Sequence, residues 1–590
     1  MNMLATDSMI TRAKSTFNCE IPGPGGLPGV SAARPPEGAR APLGPMAAAP
    51  GLPAQGGTAS GGGNSGAAAA CKASDPHAMG ERGGARVVWS IAGSDSGAGA
   101  GLQADLKALQ AFGVHGCTAV AAITAQNSQA VKRMEPVSPE LLDAQLAALG
   151  ADMPPAAIKT GLLGSVDNLR VVCRWVDRLR AQGLPVALVV DPVLGASTGA
   201  AFADDALLQA YRDELLPRAT LATPNRTEAQ RLGVPGLLDA HDTPTTPAWL
   251  APGAALVVTG GDASGALACD WMHTPQAHGW LSLARVATPH QHGTGCTFAS
   301  SAAAALALGY CAADAAVLAK MATTHALRHG YAAGQGAGPV QALPDFAQHV
   351  DNLPALSPRQ PASAPPEPFA ALAARDLGVY AVVDSADWVR RVLAAGIRTV
   401  QLRIKDAADP TLQAQTREAI ALAAQTPGAQ LFINDHWRLA VQCGAYGVHL
   451  GQEDLDHVDL DTLRRAGVRL GLSTHSYWEV ARAWGLRPSY IACGPIFATQ
   501  SKDMPWIPQG LDNLRYWAGI LPVPVVGIAG IGVEQMADVA AQGVAGAAVI
   551  TAITRAVDSA GACQQLGEAF VRGRTQAGSP TPMRARPTLK

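Results

Sequence analysis

The sequence predicts two successive α/β units: a doubly wound, mostly parallel sheet covered by helices on both faces, and behind it a (β/α)8 barrel. Three observations carry this. From Arg86 onward, short apolar strands alternate with amphipathic helices, as in a buried parallel sheet. The alternation fades near Asp345, and the stretch 354–368 holds Pro354, Pro358, Pro361, Pro365, Pro366 and Pro368, a semi-rigid linker by composition. A second strand–helix series then starts at Val379, with about eight short strands in roughly 180 residues, which suits a compact barrel.

At 590 residues the chain is too long for one core. It has 44 basic and 46 acidic residues, so no net field would recruit nucleic acid or an anionic membrane, and small-molecule substrates are the expected partners. Oligomeric state stays open, a homo-oligomer included. The ten cysteines are scattered, with no CxxC pair and no His/Cys cluster at metal spacing, which favours a reduced cytoplasmic setting. No apolar run reaches the ~18 residues that would cross a bilayer. Residues 1–85, rich in Gly, Ala and Pro, are expected to be a disordered tail and lack a secretory signal; a transit peptide there would redirect the chain to an organelle. The expected domains are therefore 86–345 and 375–574, with a linker over 346–374 and a solvated tail over 575–590.

In the first unit, Val87-Val88-Trp89-Ser90-Ile91 reads as a buried strand, followed by the Gly-rich loop 93–101 and a helix over 102–112. Ala187–Val190 and Ala255–Val258 read as further buried strands. Downstream lie Thr124-Ala125-Gln126-Asn127, Lys159-Thr160-Gly161, Asp191-Pro192 and Thr223–Glu228, most of them directly after a strand, where doubly wound sheets form their ligand crevice. Gly293-Thr294-Gly295-Cys296 opens a run of helical composition, so its free N–H groups suit an anion. A thiol at such a helix start is expected to have a depressed pKa.

This ordered set resembles the ribokinase-like superfamily, and within it the hydroxymethylpyrimidine/phosphomethylpyrimidine kinases, over about residues 86–345. The resemblance implies two ATP-dependent phosphorylations of an aminopyrimidine alcohol. It would place Gly93, Asp105 and Gln126 on the pyrimidine, the backbone of Gly293 and Gly295 on the transferring phosphate, and Cys296 where a base acts. Cys296 has an alternative role, that of a small residue leaving room for the monophosphate. Lys159, Asp191, Asn225 and Glu228 are the candidates on the nucleotide side. Asp191 is either a phosphate-site organiser or a turn cap, and Glu228 either organises Mg²⁺ through water or starts a helix. One departure stands out: the family carries Lys before Gly260-Gly261, and this chain has Thr259.

In the second unit, alternation sends Gln401, Arg403 and Lys405 to one side at the end of a strand, and two cations with an amide suit a diphosphate. Asn434-Asp435 and Gly451-Gln452-Glu453-Asp454 follow successive strands, so Asp435 and Asp454 can face each other across the barrel mouth and hold Mg²⁺, or simply cap helices. His449 and His475 are acid/base candidates by type, but read first as hydrogen-bonding strand-end histidines. With Ser473-Thr474-His475, Gly494–Lys502, Gly527–Ile531 and Val549-Ile550-Thr551, the series resembles thiamine phosphate synthase over about residues 375–560. The resemblance implies Gln401 to Lys405 and Asn434 on the pyrimidine diphosphate, and Ser473 and Lys502 on the departing diphosphate. It would put Thr499, Ser501, Gly530, Ile550 and Thr551 on a thiazole phosphate. Ala529 replaces a frequent Gly, a change tolerated where φ is negative.

Together the resemblances imply a bifunctional enzyme of thiamine biosynthesis, with ATP as phosphoryl donor and Mg²⁺ as cofactor. Two alternatives remain at this stage. One is a pyrimidine-binding module without turnover beside an active synthase, motivated by Thr259. The other is a pyridoxal-type kinase fused to the barrel.

Overall fold

The computed structural model describes residues 85–195, 202–237, 243–261, 263–361, 365–498, 505–576 and 580–589. The expected N-terminal tail lies outside the described residues. So do Thr499, Ser501 and Lys502.

Among the described residues, the first half builds one sheet from β1 (Val87–Asp95), β2 (His115–Gln126), β3 (Val131–Pro136), β4 (Ala157–Thr160), β5 (Ala187–Val190), β6 (Leu221–Ala222), β7 (Ala255–Val258), β8 (Leu267–His273), β9 (His278–Ala284) and β10 (Ala355–Ser357). Their order is β10-β9-β8-β7-β6-β5-β4-β1-β2-β3. The central strands from β7 to β2 run parallel, and both edges turn antiparallel. Val88, Trp89 and Ile91 are fully buried, as a strand covered on both faces requires. The chain order reverses between β1 and β4, and the crevice above such a reversal is where ligands bind. β1 runs four residues beyond the expected Ile91 and shifts register between Ala92 and Gly93, bringing Gly93 to Asp95 to the rim of that crevice.

The second half closes eight parallel strands into a barrel: β11 (Gly378–Val383), β12 (Thr399–Leu402), β13 (Gln430–Asn434), β14 (Gly447–Leu450), β15 (Arg469–Thr474), β16 (Tyr490–Cys493), β17 (Val525–Ile528) and β18 (Gly546–Val549). Its interior holds Tyr380, Phe432 and Tyr490, with ring centroids 5.1 to 6.0 Å apart. Gly471 makes room for this cluster, since a Cβ there would lie 2.1 Å from Tyr490 Cζ.

The segment between the halves is tied down on both sides. β10 pairs with β9 through Leu356 and Leu281, and further on the Phe369 N–H donates to the Arg487 carbonyl at 3.0 Å. Residues near the C-terminus, expected to be solvated, are packed instead: Ala585 and Thr588 are buried. The Ala585 N–H donates to the Tyr477 hydroxyl at 2.9 Å, and the Tyr310 hydroxyl donates to the Ala585 carbonyl. The partners are 108 and 275 residues away in sequence, so no local pattern announces them. Among the described residues no helix is long and apolar enough to cross a membrane.

Candidate active sites

In the first half, the Gly-rich loop and the 293–296 loop meet over the β1/β4 crevice. Gly293 is the N-cap of the helix Thr294–Ala307 and holds φ +86. A Cβ there would lie 2.1 Å from the Gly99 carbonyl oxygen, so only glycine allows the two loops to close on each other. At Gly295 a Cβ would meet nothing within 4 Å, so this position does not need glycine for space. Asp95 organises the opposite wall. Its carboxylate accepts from the N–H groups of Gly97 (2.8 Å), Gly99 (3.0 Å) and Ala100 (2.8 Å), and His292 Nε2 lies 3.2 Å away. Burial pulls its pKa up, but His292 and the three amides outweigh that and hold it below the usual carboxylate value. Gln126 is half-buried, its amide nitrogen 3.1 Å from His292 Nε2. Sequence reasoning passed over Asp95 and His292, and the only sequence signal for them is their place inside the two Gly-rich loops.

Beneath the loops sits a charged cluster with no exposed surface. Asp105 accepts from Lys159 Nζ at 2.9 and 3.0 Å, from the Ser90 hydroxyl at 2.6 Å and from the Ser300 hydroxyl at 2.8 Å. Burial pulls the Lys159 pKa down, but the Asp105 carboxylate reverses this and keeps the amine charged. Asp191 Oδ2 lies 3.6 Å from Lys159 Nζ and has no hydrogen-bond partner; burial and the Asp105 charge push its pKa up. Lys159 and Asp105 thus lie under the crevice floor, not on its surface. The expectation of a lowered Cys296 pKa is corrected here. Burial, with Asp105 and Asp191 adding and Lys159 opposing, pushes the thiol up to about 12. Burial outweighs the helix N-terminus, and the two nearby carboxylates add to it; the local sequence shows neither.

Asn225 and Glu228 form a capping box at the start of the helix Arg226–Arg231, each side chain accepting the other's backbone N–H at 2.9 Å. Thr259, just past the end of β7, forms an isolated parallel bridge with Asn225, the N-cap of that helix. Beside it the Gly260 N–H donates to Asp270 at 2.9 Å, and Asp270 pairs with buried Lys320 at 2.8 Å.

In the barrel, the candidates collect at the C-terminal strand ends. Gln401 is buried, Arg403 half-buried and Lys405 exposed, in line with a strand emerging at the mouth. Asn434 is buried with an unpartnered amide nitrogen, a donor that a ligand would satisfy. Asp435 follows in the left-handed region at φ +58. Its pKa is pushed up to about 6, first by burial and then by the Asp454 charge, with Arg403 opposing. Asp454 accepts the Gly451 N–H at 2.7 Å. Two neighbouring carboxylates, the Asp435 one holding its proton more tightly because of the other, beside a buried amide and a guanidinium, fit a hard divalent cation with an anionic ligand. At the late strands, Ala529 holds φ +78 and Gly530 φ +72. The condition under which Ala529 would be tolerated freely is therefore not met. Ile550 and Thr551 sit at the start of the short helix Thr551–Thr554.

A hydrogen-bond chain crosses the barrel interior. Gln401 Nε2 donates to the Tyr380 hydroxyl (3.2 Å), which lies 2.9 Å from the Tyr490 hydroxyl; that hydroxyl is 2.7 Å from His449 Nδ1, and His449 Nε2 is 2.9 Å from Ser473 Oγ. The Gln401 amide nitrogen can only donate, so each hydroxyl passes its proton onward, His449 carries its proton on Nε2, and Ser473 Oγ accepts. The Ser473 hydroxyl proton is left to point into the mouth. Burial, with Arg403 adding, lowers the His449 pKa to about 4, so the ring is neutral at ordinary pH.

One cluster elsewhere has metal-like spacing. His325, Asp345 and His349 bring ligand atoms within 4.8 Å of one another. Asn352 decides against a metal there. Its Oδ1 accepts from Arg328 (2.6 Å), so its amide nitrogen faces the Phe346 carbonyl (2.8 Å) and His325 Nδ1 (3.1 Å). His325 Nδ1 is then an acceptor and Nε2 bears the proton given to Asp345, which removes the lone pair a metal needs.

The comparisons divide the chain as the fold does. The Phosphomethylpyrimidine kinase family matches residues 95–341 and the Thiamine monophosphate synthase family residues 379–553. A thiamine-phosphate synthase of Serratia proteamaculans is 53% identical over 191 residues, covering 32% of this chain and 90% of that protein. A phosphomethylpyrimidine kinase structure from Clostridium difficile is 27% identical, with TM-score 0.34, over 41% of this chain and 99% of that one. A Bacillus subtilis pyridoxal kinase structure is 29% identical, with TM-score 0.38, over 44% and 98%. The chain belongs to the thiamine-phosphate synthase family, and carries that barrel fused behind a ribokinase-like phosphomethylpyrimidine kinase domain.

Proposed function

We propose that the chain performs consecutive steps of thiamine biosynthesis. The first half uses ATP to phosphorylate 4-amino-5-hydroxymethyl-2-methylpyrimidine and then its monophosphate. The second half joins the resulting diphosphate to 4-methyl-5-(2-phosphoethyl)thiazole, releasing pyrophosphate. The observation that carries this reading is the Asp435–Asp454 pair beside Arg403 at the mouth of a barrel with a buried donor chain ending on Ser473.

In the kinase half, Gly93 and Gln126 line the crevice for the pyrimidine, and the N–H groups after Gly293 and Gly295 hold the transferring phosphoryl group. Asp105 and Lys159 act from beneath as a fixed dipole under the pyrimidine. Asp191 and the Asn225–Glu228 cap shape the nucleotide side. Cys296, a neutral thiol, leaves room for the phosphate of the second substrate.

In the synthase half, Gln401, Arg403, Lys405 and Asn434 bind the pyrimidine diphosphate. Asp435 and Asp454 would hold Mg²⁺, which offsets charge on the leaving diphosphate when bound. Ser473 donates to that diphosphate, with Lys502 as the second donor. Thr499, Ser501, Gly530, Ile550 and Thr551 hold the thiazole phosphate, whose ring nitrogen captures the pyrimidine methylene. No protein nucleophile is needed.

The test is a single incubation of the pyrimidine alcohol, MgATP and thiazole phosphate, read for thiamine phosphate. Asp435→Ala should stop at the pyrimidine diphosphate. Folded protein that makes neither would overturn the reading. Thr259 favours one second reading, a kinase half that binds pyrimidine without turnover; binding of the monophosphate with no ADP release would select it.

A further inference from the structure

We propose that Asp314, a carboxylate of the kinase half, is a positioning residue of the synthase site: it caps the helix that follows Ser473 and so fixes the loop on the diphosphate side. The inference rests on the reading of Ser473 given above.

Ser473 is the second-last residue of β15 and the helix Tyr477–Gly485 starts shortly after, so the turn 475–476 that leads away from Ser473 is set by where that helix begins. Its N-cap residue, Ser476, has the extended backbone of an N-cap (φ −153), yet its side chain makes no cap bond. A helix start leaves several N–H groups without partners, and Ser at this position ordinarily serves one of them. Here Asp314 Oδ1 accepts the Trp478 N–H at 2.9 Å in a fully buried contact. Asp314 lies in the first turn of the kinase-half helix Ala312–Arg328, 164 residues away in sequence. The neighbouring amide is served locally, since Glu479 accepts from the His475 N–H at 2.7 Å and contacts His475 Nδ1 at 2.6 Å. His475 in turn stacks on Trp506 with the planes 2° apart.

The turn is thus held on the barrel side by Glu479, and on the far side by a residue of the other domain, while His449 holds Ser473 at the strand end. Burying a second acid beside Glu479 is unfavourable, and burial together with the Glu479 charge pushes the Asp314 pKa up to about 7. The Serratia synthase, matched over 90% of its length by 191 residues of this chain, has no kinase half to supply such a cap.

The test uses the full chain, supplied directly with pyrimidine diphosphate and thiazole phosphate, and reads KM, kcat and Tm for D314A, D314S, D314N, Y516F and S473A. Tyr516 is the interface control: its hydroxyl donates to the Ala347 carbonyl across the same boundary at 2.6 Å. D314A and D314S should raise KM for the pyrimidine diphosphate about fivefold, the fold-change of a lost cap, while D314N, which keeps the acceptor, should return it to within about twofold. Y516F should lower Tm and leave KM unchanged. If D314A behaves like Y516F, or D314N like D314A, Asp314 only holds the interface and the proposal is overturned. A raised KM in S473A alone leaves the diphosphate reading standing and sinks the cap. An unchanged KM in S473A sinks the diphosphate reading and the proposal with it.

Discussion

Tyr490 and His449 lie 2.7 Å apart inside the barrel, hydroxyl to Nδ1, and that contact sets which nitrogen of the imidazole carries the proton. Donation from Tyr490 leaves His449 Nε2 to donate to Ser473. Protonating His449 would place a donor on both nitrogens and break the chain at Tyr490.

The pH dependence follows from the lowered pKa. The folded value of about 4 lies below the unfolded value near 6.5, so the neutral ring contributes stability above the unfolded pKa, lost as pH falls through the folded one. His449 should show no NMR titration between pH 5.5 and 8. Y490F strands a buried acceptor, for which a loss of about 1–3 kcal/mol is expected in urea unfolding. A His449 resonance that titrates near pH 6.5 would refute the neutral buried ring.

The strands were readable because their chemistry is local. Ala187–Val190, for instance, appears in the structure with the limits its apolar run suggests. The contacts that set the sites were not. Asp95 with His292, Asp314 with Trp478 and Ala585 with Tyr477 pair residues from distant elements, and no periodicity encodes them. Cys296 shows the same limit: the helix start was legible, its burial beside Asp105 and Asp191 was not.

Ala529 stores strain beside the late-strand loop. Its φ of +78 is a conformation an L-residue with a Cβ adopts at an expense of roughly 1–2 kcal/mol, whereas glycine enters it freely. Ala529→Gly should therefore raise stability, by about 1 kcal/mol once the extra freedom of glycine in the unfolded chain is subtracted. Equilibrium denaturation measures this, and a destabilised variant would mean that the Ala methyl contributes packing that exceeds the strain.

Asp435 and Asp454 repel each other when both are charged, and burial sharpens the effect on Asp435. Asp435→Asn keeps the shape and tolerates φ +58, because Asn is at home in the left-handed region. The metal-free variant should melt no lower than the parent. Added Mg²⁺ should raise the parent's Tm and leave the variant's unmoved, since a ligand stabilises only the protein that binds it. Equal shifts in both would place the cation elsewhere.

Cys296 is the point where the two readings of the kinase loop separate. With its pKa pushed up to about 12, the thiolate is a minute fraction at pH 8, so iodoacetamide should label Cys296 at least about 100-fold more slowly than an unperturbed thiol, by peptide mass spectrometry. If the residue only makes room for the second substrate, Cys296→Ala should keep ADP release with the monophosphate within about threefold of the parent. A general base would lose roughly 10² to 10⁴ in rate. Fast labelling together with a loss of that size would show that substrate-side groups lower the thiol's pKa, and would restore the base role.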